Sequence, residues 1–220
     1  MHDKPALLVV AHGTKSPAGS ATTSALVRAI AAVRPDVPVS LCFLDVVGPS
    51  LPDALQIAGG PTVVVPLLLS TGYHVLTDIP VAAAGRPDVV IARHLGPDPL
   101  LVDALVDRLA EAGPGGAAST VLVGAGSSRA EAAAELAETG ALLSARVRRP
   151  VTVLTMAGDL RRGLTAQRAP VEVAAYLLAE GQFVSNLRDA ADGIAAVAEP
   201  IGVHPALVAL VWARYDEAVD

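Results

Sequence analysis

The feature that most constrains this chain is that it is written twice. "TVLVGAGSSRAEA", from Thr120, lies on "LLVVAHGTKSPAG", from Leu7, and "VTVLTMAGD" then matches "VSLCFLDVV". Further on, "VAAYLLAEGQFVSNLRD" matches "VVPLLLSTGYHVLTDIP", and "PIGVHPALVALVWARYDEA" matches "RHLGPDPLLVDALVDRLAEA". The separation shrinks from 113 residues (His12 to Ala125) to 112 (Asp45 to Ala157), 109 (His74 to Phe183) and 106 (Leu101 to Leu207). Small loop deletions produce such a drift, so two similar domains are expected.

Each copy alternates short apolar runs with helix-like segments. "ALLVVAH", "VPVSLCFLD", "TVVVPLLL" and "DVVIARHLG" are apolar at nearly every position, the pattern of strands covered on both faces of a parallel sheet. "SATTSALVRAIAAV", "PSLPDALQIA" and "PDPLLVDALVDRLAEA" fall between or after them as helices. The expected fold class is α/β, with two similar parallel-sheet α/β/α domains related by the repeat and a cleft between them. The first domain is expected over 1–113, a linker over 114–119 inside the Gly-rich "GPGGAAS", and the second domain over 120–220.

Composition narrows the function. A formal charge of −6 argues against a nucleic-acid partner. The one cysteine, Cys42, sits in the apolar "VSLCFL" and reads as a buried structural thiol in a reducing cytosol. The opening "MHDKPALLVVAHG" lacks the pattern of a secretory leader. The charge-free stretch between Asp53 and Asp78 is broken by Gly59, Gly60, Pro61 and Pro66, too often for a membrane helix. A cytoplasmic protein without membrane contact is expected. "GAGSSR" lacks the third glycine of a dinucleotide fingerprint, and no G-x-S-x-G nucleophile elbow is present.

The chemistry concentrates in one copy. His12 closes the first strand, Asp45 follows the second and His74 follows the third. Open α/β sheets bind ligands outside the carboxyl ends of their strands, so these three side chains are expected at one rim. The repeat supplies an internal control. The second copy carries Ala125, Ala157 and Phe183 at those positions, yet keeps Gly126 and Gly181 opposite Gly13 and Gly72. The turns persist while every polar rim residue is gone, which marks His12, Asp45 and His74 as functional. His2 reads as terminal, His94 as a loop or surface residue, and His204 as a helix-entry residue before Pro205.

"LLVVAHGTKSPAG", "CFLD" with "PSLPDAL", and "VVVPLLLSTGYHVLTDIP" together resemble the sirohydrochlorin chelatases, the class II chelatases of siroheme and cobalamin synthesis. The second copy resembles the degenerate partner domain of the two-domain members. The resemblance implies a lyase that inserts divalent metal into sirohydrochlorin, with His12 and His74 as the metal-handling histidines. Asp45 stands where the family usually has glutamate, one methylene longer, and is the weaker third candidate. Gly13, Lys15, Ser16, Ser70, Thr71, Gly72 and Tyr73 are expected to hold the macrocycle, and Arg146, Arg148, Arg149, Arg161 and Arg162 to offer an anion-binding wall. No permanently bound cofactor is expected, only Fe2+ or Co2+ as substrate. A functional monomer is expected because the second copy walls the cleft. Iron insertion is the favoured reading; cobalt insertion and a non-catalytic tetrapyrrole or metal carrier are the alternatives.

Overall fold

In the computed structural model, residues 4–113 and 116–220 are described, with the backbone alone for His74. His2 and the linker residues Pro114 and Gly115 lie outside the described residues. The first half forms strands β1 (Ala6–Ala11), β2 (Val39–Phe43), β3 (Thr62–Pro66) and β4 (Val89–Ile91) in one parallel sheet of order β2-β1-β3-β4. The second half forms β5 (Ser119–Gly124), β6 (Val151–Thr155), β7 (Val171–Tyr176) and β8 (Ala195–Val197), all parallel in the matching order β6-β5-β7-β8.

The strand registers reproduce the offsets read from sequence. Ala11 pairs with Phe43 in the first sheet, and Gly124 with Thr155 in the second. Thr62 pairs with Val89, and Val171 with Ala195. Both alignments preserve the drift from 113 to 106, so the repeat is structural.

Successive side chains of a strand point to opposite faces, and each strand of this protein feeds two cores. Leu8 and Val10 of β1 face outward onto Leu51 and Leu55 of helix α2 (Leu51–Ile57) and Ile79 of helix α3 (Ile79–Ala83). Val121 and Val123 of β5 face Leu160 and Leu164 of helix α6 (Leu160–Thr165) and Leu187 of helix α7 (Gln182–Ala191). Leu7, Val9, Val63 and Val65 face inward, into a central core that Leu122, Ala174 and Tyr176 share from the second sheet. Helices α1 (Pro17–Val33), α4 (Pro99–Ala112), α5 (Ala130–Val147) and α8 (Pro205–Val219) contribute to this central layer.

The last helix of each half crosses over. Helix α4 packs against α5, β7 and β8, whereas α8 packs against α1, β3 and β4. Long-range hydrogen bonds fix the exchange. Trp212 donates its indole N–H to the Ile30 carbonyl (3.1 Å), and the Tyr215 hydroxyl donates to the Pro5 carbonyl (2.6 Å). Arg214, 1% exposed, donates to the carbonyls of His94 (3.1 Å) and Leu95 (2.9 Å) and to Asp98 Oδ2 (2.8 Å). Arg108, its counterpart 106 residues earlier, donates to the Ile201 carbonyl (2.9 Å).

Both crossing helices begin alike, with a capping side chain followed by a proline whose missing N–H costs nothing there. Asp98 Oδ1 accepts from the Leu100 N–H, and His204 Nδ1 accepts from the Ala206 N–H. His204 is thus the helix-entry residue its sequence position suggests. Cys42 is buried, and burial pushes its thiol up to about 12.

Candidate active site

The carboxyl ends of β1, β3, β5 and β7 open into a cleft of about 550 Å³ between the halves. Its walls are mostly apolar, with Leu26, Leu67 and Leu69 from the first half facing Leu136, Leu177 and Phe183 from the second. Of the expected site residues, His12, Gly13, Ser70, Thr71 and Gly72 line it, as do the matching Ala125, Gly126, Gly181 and Phe183.

His12 follows β1 directly and its side chain is exposed. The turn that places it depends on Gly13, whose φ of +100° disfavours any side chain. A β-carbon at Gly13 would also run into the Asp45 carbonyl oxygen. Asp45 in turn donates its N–H to the His12 carbonyl (3.0 Å), so the first two strand ends are laced through backbone. Gly13→Ala is therefore expected to cost about 1–3 kcal/mol in urea unfolding. Gly126→Ala is expected to cost less, because the nearest atom, the Thr155 Cβ, stands at 3.0 Å, farther off than the Asp45 oxygen stands at Gly13.

Asp45 itself is exposed and outside the cleft lining, and its Oδ1 accepts from the Val46 N–H (2.7 Å). Lys15 is exposed beside the lining residue Thr14. The Ser16 hydroxyl caps α1, accepting from the Gly19 N–H (3.3 Å). Tyr73 is 59% exposed at the rim. His74 opens a short π-helical turn, His74–Asp78, a rare form concentrated at functional sites. The side chain of His74 lies outside the described residues, and among those described no cluster of three His, Cys, Asp or Glu is set to hold a metal.

Thr71 is buried, and its environment was not foreseen. Its N–H and hydroxyl donate to the two oxygens of Glu135 on α5, each at 2.6 Å. Tyr176 of β7 donates its hydroxyl to the Leu69 carbonyl at 3.0 Å, and burial pushes that phenol upward. His94, read as a loop or surface residue, does lie in the loop after β4, but its side chain is only 15% exposed, with Nε2 3.2 Å from Glu135 Oε1 but off the line of a hydrogen bond. Burial lowers its pKa against the opposing pull of Glu135. The crossing of α8 explains its burial, since Arg214 holds the His94 carbonyl from above.

The expected arginine wall is not at the cleft. Arg146 pairs with Asp103, and Arg161 reaches the carbonyls of Ala190 and Asp192. Arg149 binds Glu172 and Thr120 at the amino-terminal ends of β7 and β5, away from the cleft, and none of the five lines it. Glu180 is the one carboxylate among the described lining residues; Arg188 holds it below the usual range.

A family profile described as CbiX matches residues 6–112. A sirohydrochlorin cobaltochelatase of Methanosarcina acetivorans is 30% identical over 129 residues, covering 51% of this chain and 99% of that protein. The chain belongs to the sirohydrochlorin chelatase family. As a member of the family it is a metal-inserting enzyme, and nearly the whole of the relative aligns with about half of this chain. The fold agrees. The sirohydrochlorin chelatase SirB from Bacillus subtilis subspecies spizizenii, solved in complex with cobalt, superposes with a TM-score of 0.81 at 23% identity, covering 98% of this chain and 95% of that one. SirB from Bacillus subtilis with Fe3+ gives 0.82 at 23% identity with the same coverage. In this chelatase both halves wall the cleft, with His12 on the first half and Glu180 on the second.

Proposed function

We propose that this chain inserts ferrous iron into sirohydrochlorin to form siroheme. The observation that carries the reading is the cleft: an apolar slot between two sheets, edged by His12 on one half and by Ala125 at the equivalent point of the other. A flat macrocycle fits such a slot by its faces, while a few polar groups fix its orientation.

Insertion exchanges one dication for two pyrrolic protons, so the site must replace metal-bound water and receive protons. A neutral imidazole does either through its free ring nitrogen. His12 and His74 hold the incoming metal on one face of the ring. Asp45, beyond the lining, takes up departing protons rather than touching the metal. Gly13, Lys15, Ser16, Ser70, Gly72 and Tyr73 border the macrocycle, whose peripheral carboxylates meet Lys15 and the backbone N–H groups of the loops. Arg129, two residues past the lining residue Ser127, offers a cation from the second half. Thr71 serves by holding its loop.

The two internal halves complete the cleft, which supports a monomer. No helix among the described residues is long and apolar enough to cross a membrane, and a cytoplasmic site of action accords with a reduced Cys42.

Cobalt is the second reading, favoured by the cobaltochelatase of Methanosarcina acetivorans. General metal affinity does not separate the two ions at imidazole ligands. Anaerobic spectrophotometry of the purified chain with sirohydrochlorin and Fe2+ or Co2+ tests both, with sedimentation at the assay concentration to report the assembly. Faster turnover with iron by a monomer is expected. Turnover with cobalt alone overturns the iron reading, and macrocycle binding without either insertion leaves the carrier.

A further inference from the structure

The second half carries Ala125, Ala157 and Phe183 where the first has His12, Asp45 and His74, but it keeps hold of the loop that leads to His74. That loop leaves β3 at Pro66 and is tied down step by step. Leu67 donates its N–H to the Val10 carbonyl (2.7 Å), and the Leu68 carbonyl accepts from the Leu95 N–H (2.9 Å). Both ties are internal to the first half. The next ones come from across the cleft: Tyr176 to the Leu69 carbonyl, then Glu135 to the Thr71 N–H and hydroxyl. A β-carbon at Gly72 would meet nothing within 4 Å, and Tyr73 is exposed.

We propose that Glu135 and Tyr176 are positioning residues through which the degenerate half fixes Leu69–Thr71 and so sets the placement of His74. The inference deepens the chelatase reading and rests on it. The repeat again supplies the control. The residues matching Glu135 and Tyr176 in the first half are Thr22 and Leu67, and the loop position matching Thr71 is Glu180. Thr22 turns its hydroxyl back to the Ala18 carbonyl of its own helix, and Glu180 pairs with Arg188. Leu67 has no hydroxyl to give. Among the described residues the hydrogen-bonded hold from the opposite half is therefore on one loop, the loop that carries the histidine.

A carboxylate suits this task because it presents two acceptors to two donors with the geometry of a fork, and charged acceptors give the shorter, stronger bonds. Glutamine keeps both contacts in weaker form, its oxygen accepting from the Thr71 N–H and its amide donating to the Thr71 hydroxyl. Alanine keeps neither and leaves a buried N–H without a partner.

The test combines amide hydrogen exchange with steady-state metal insertion on the full chain. In Glu135→Ala, peptides over 69–78 are expected to exchange faster while β1 and β5 peptides are unchanged. Turnover is expected to fall about tenfold to a hundredfold, the scale of a slight misplacement of a reacting group, with KM for sirohydrochlorin nearly constant. Glu135→Gln is expected to recover most of that loss. Tyr176→Phe removes one hydroxyl without changing the packing, and is expected to act in the same direction, so the test does not hang on one variant's folding. Exchange over 69–78 that matches the parent in both Glu135→Ala and Tyr176→Phe overturns the proposal. A parent protein that inserts no metal overturns the chelatase reading instead, and the exchange measurement still decides whether the loop is held.

Discussion

Replacing His12 or His74 with alanine is expected to lower metal insertion by about a hundredfold or more, the usual scale for a lost acid–base or ligand group, while sirohydrochlorin still binds. Binding survives because the leucine walls and loop backbone are untouched. For His12 the fold should be unaffected: its side chain is exposed at a strand end, and changes at such sites alter stability by under about 0.5 kcal/mol. The reverse experiment is as informative. Ala125→His puts an imidazole at the matching point of the second half, but Phe183 stands where His74 would be needed, so no second centre should arise. Insertion rate and macrocycle affinity, measured separately, decide the matter. Alanine variants that insert iron and cobalt at the parent rate would remove both histidines from the mechanism.

The largest expected effect on stability lies away from the cleft, at Arg214. Its guanidinium is fully enclosed and supplies donors to two backbone carbonyls and to Asp98, which itself caps α4. Arg214→Ala strands all of these acceptors in the interior, including a carboxylate whose side chain is 14% exposed. Removing one partner of such a pair costs about 3–5 kcal/mol. Arg108, at the equivalent position, answers to the Ile201 carbonyl and to an exposed Glu111. Arg108→Ala should therefore cost less, about 1.5–3 kcal/mol, the value of a hydrogen bond to a charged group. Urea midpoints at constant slope separate the two. An Arg214→Ala midpoint no lower than that of Arg108→Ala contradicts this account.

Much of this was legible in the residues. The falling offsets predicted the paired sheets because loop deletions leave strand register untouched, and of the three residues lost in the second copy, His12 lines the cleft while Asp45 stands outside its lining. The crossing of α4 and α8 was not legible. An apolar stripe such as Leu101, Val102 and Leu105 says that a helix has a buried face but not which sheet it covers, and Leu207, Val208 and Val211 carry the same stripe. Glu135 was hidden for a related reason. In "AAAELAETG" it looks like any solvated helical glutamate, and only the approach of a loop from the other half gives it two donors. Arg214, inside "WARYDEA", reads as a surface charge in the same way. A signal for it did exist: Arg108 and Arg214 stand 106 residues apart, in step with the repeat.

The exchanged helices also set an order of events during synthesis. The inner face of the first sheet, with Leu7, Val9, Val63 and Val65, is completed by a helix that begins at Pro205, well over a hundred residues after β4 ends at Ile91. At ribosomal rates of about 5–20 residues per second, that is a wait of roughly 6–20 s. Throughout it the first half exists as a nascent chain whose inner sheet face has α1 to cover it but not yet α8. The duplicated half is thus also the last piece of the first half's folding, and a chain cut short before α8 would carry His12 and His74 on a sheet whose β3 and β4 lack their covering helix.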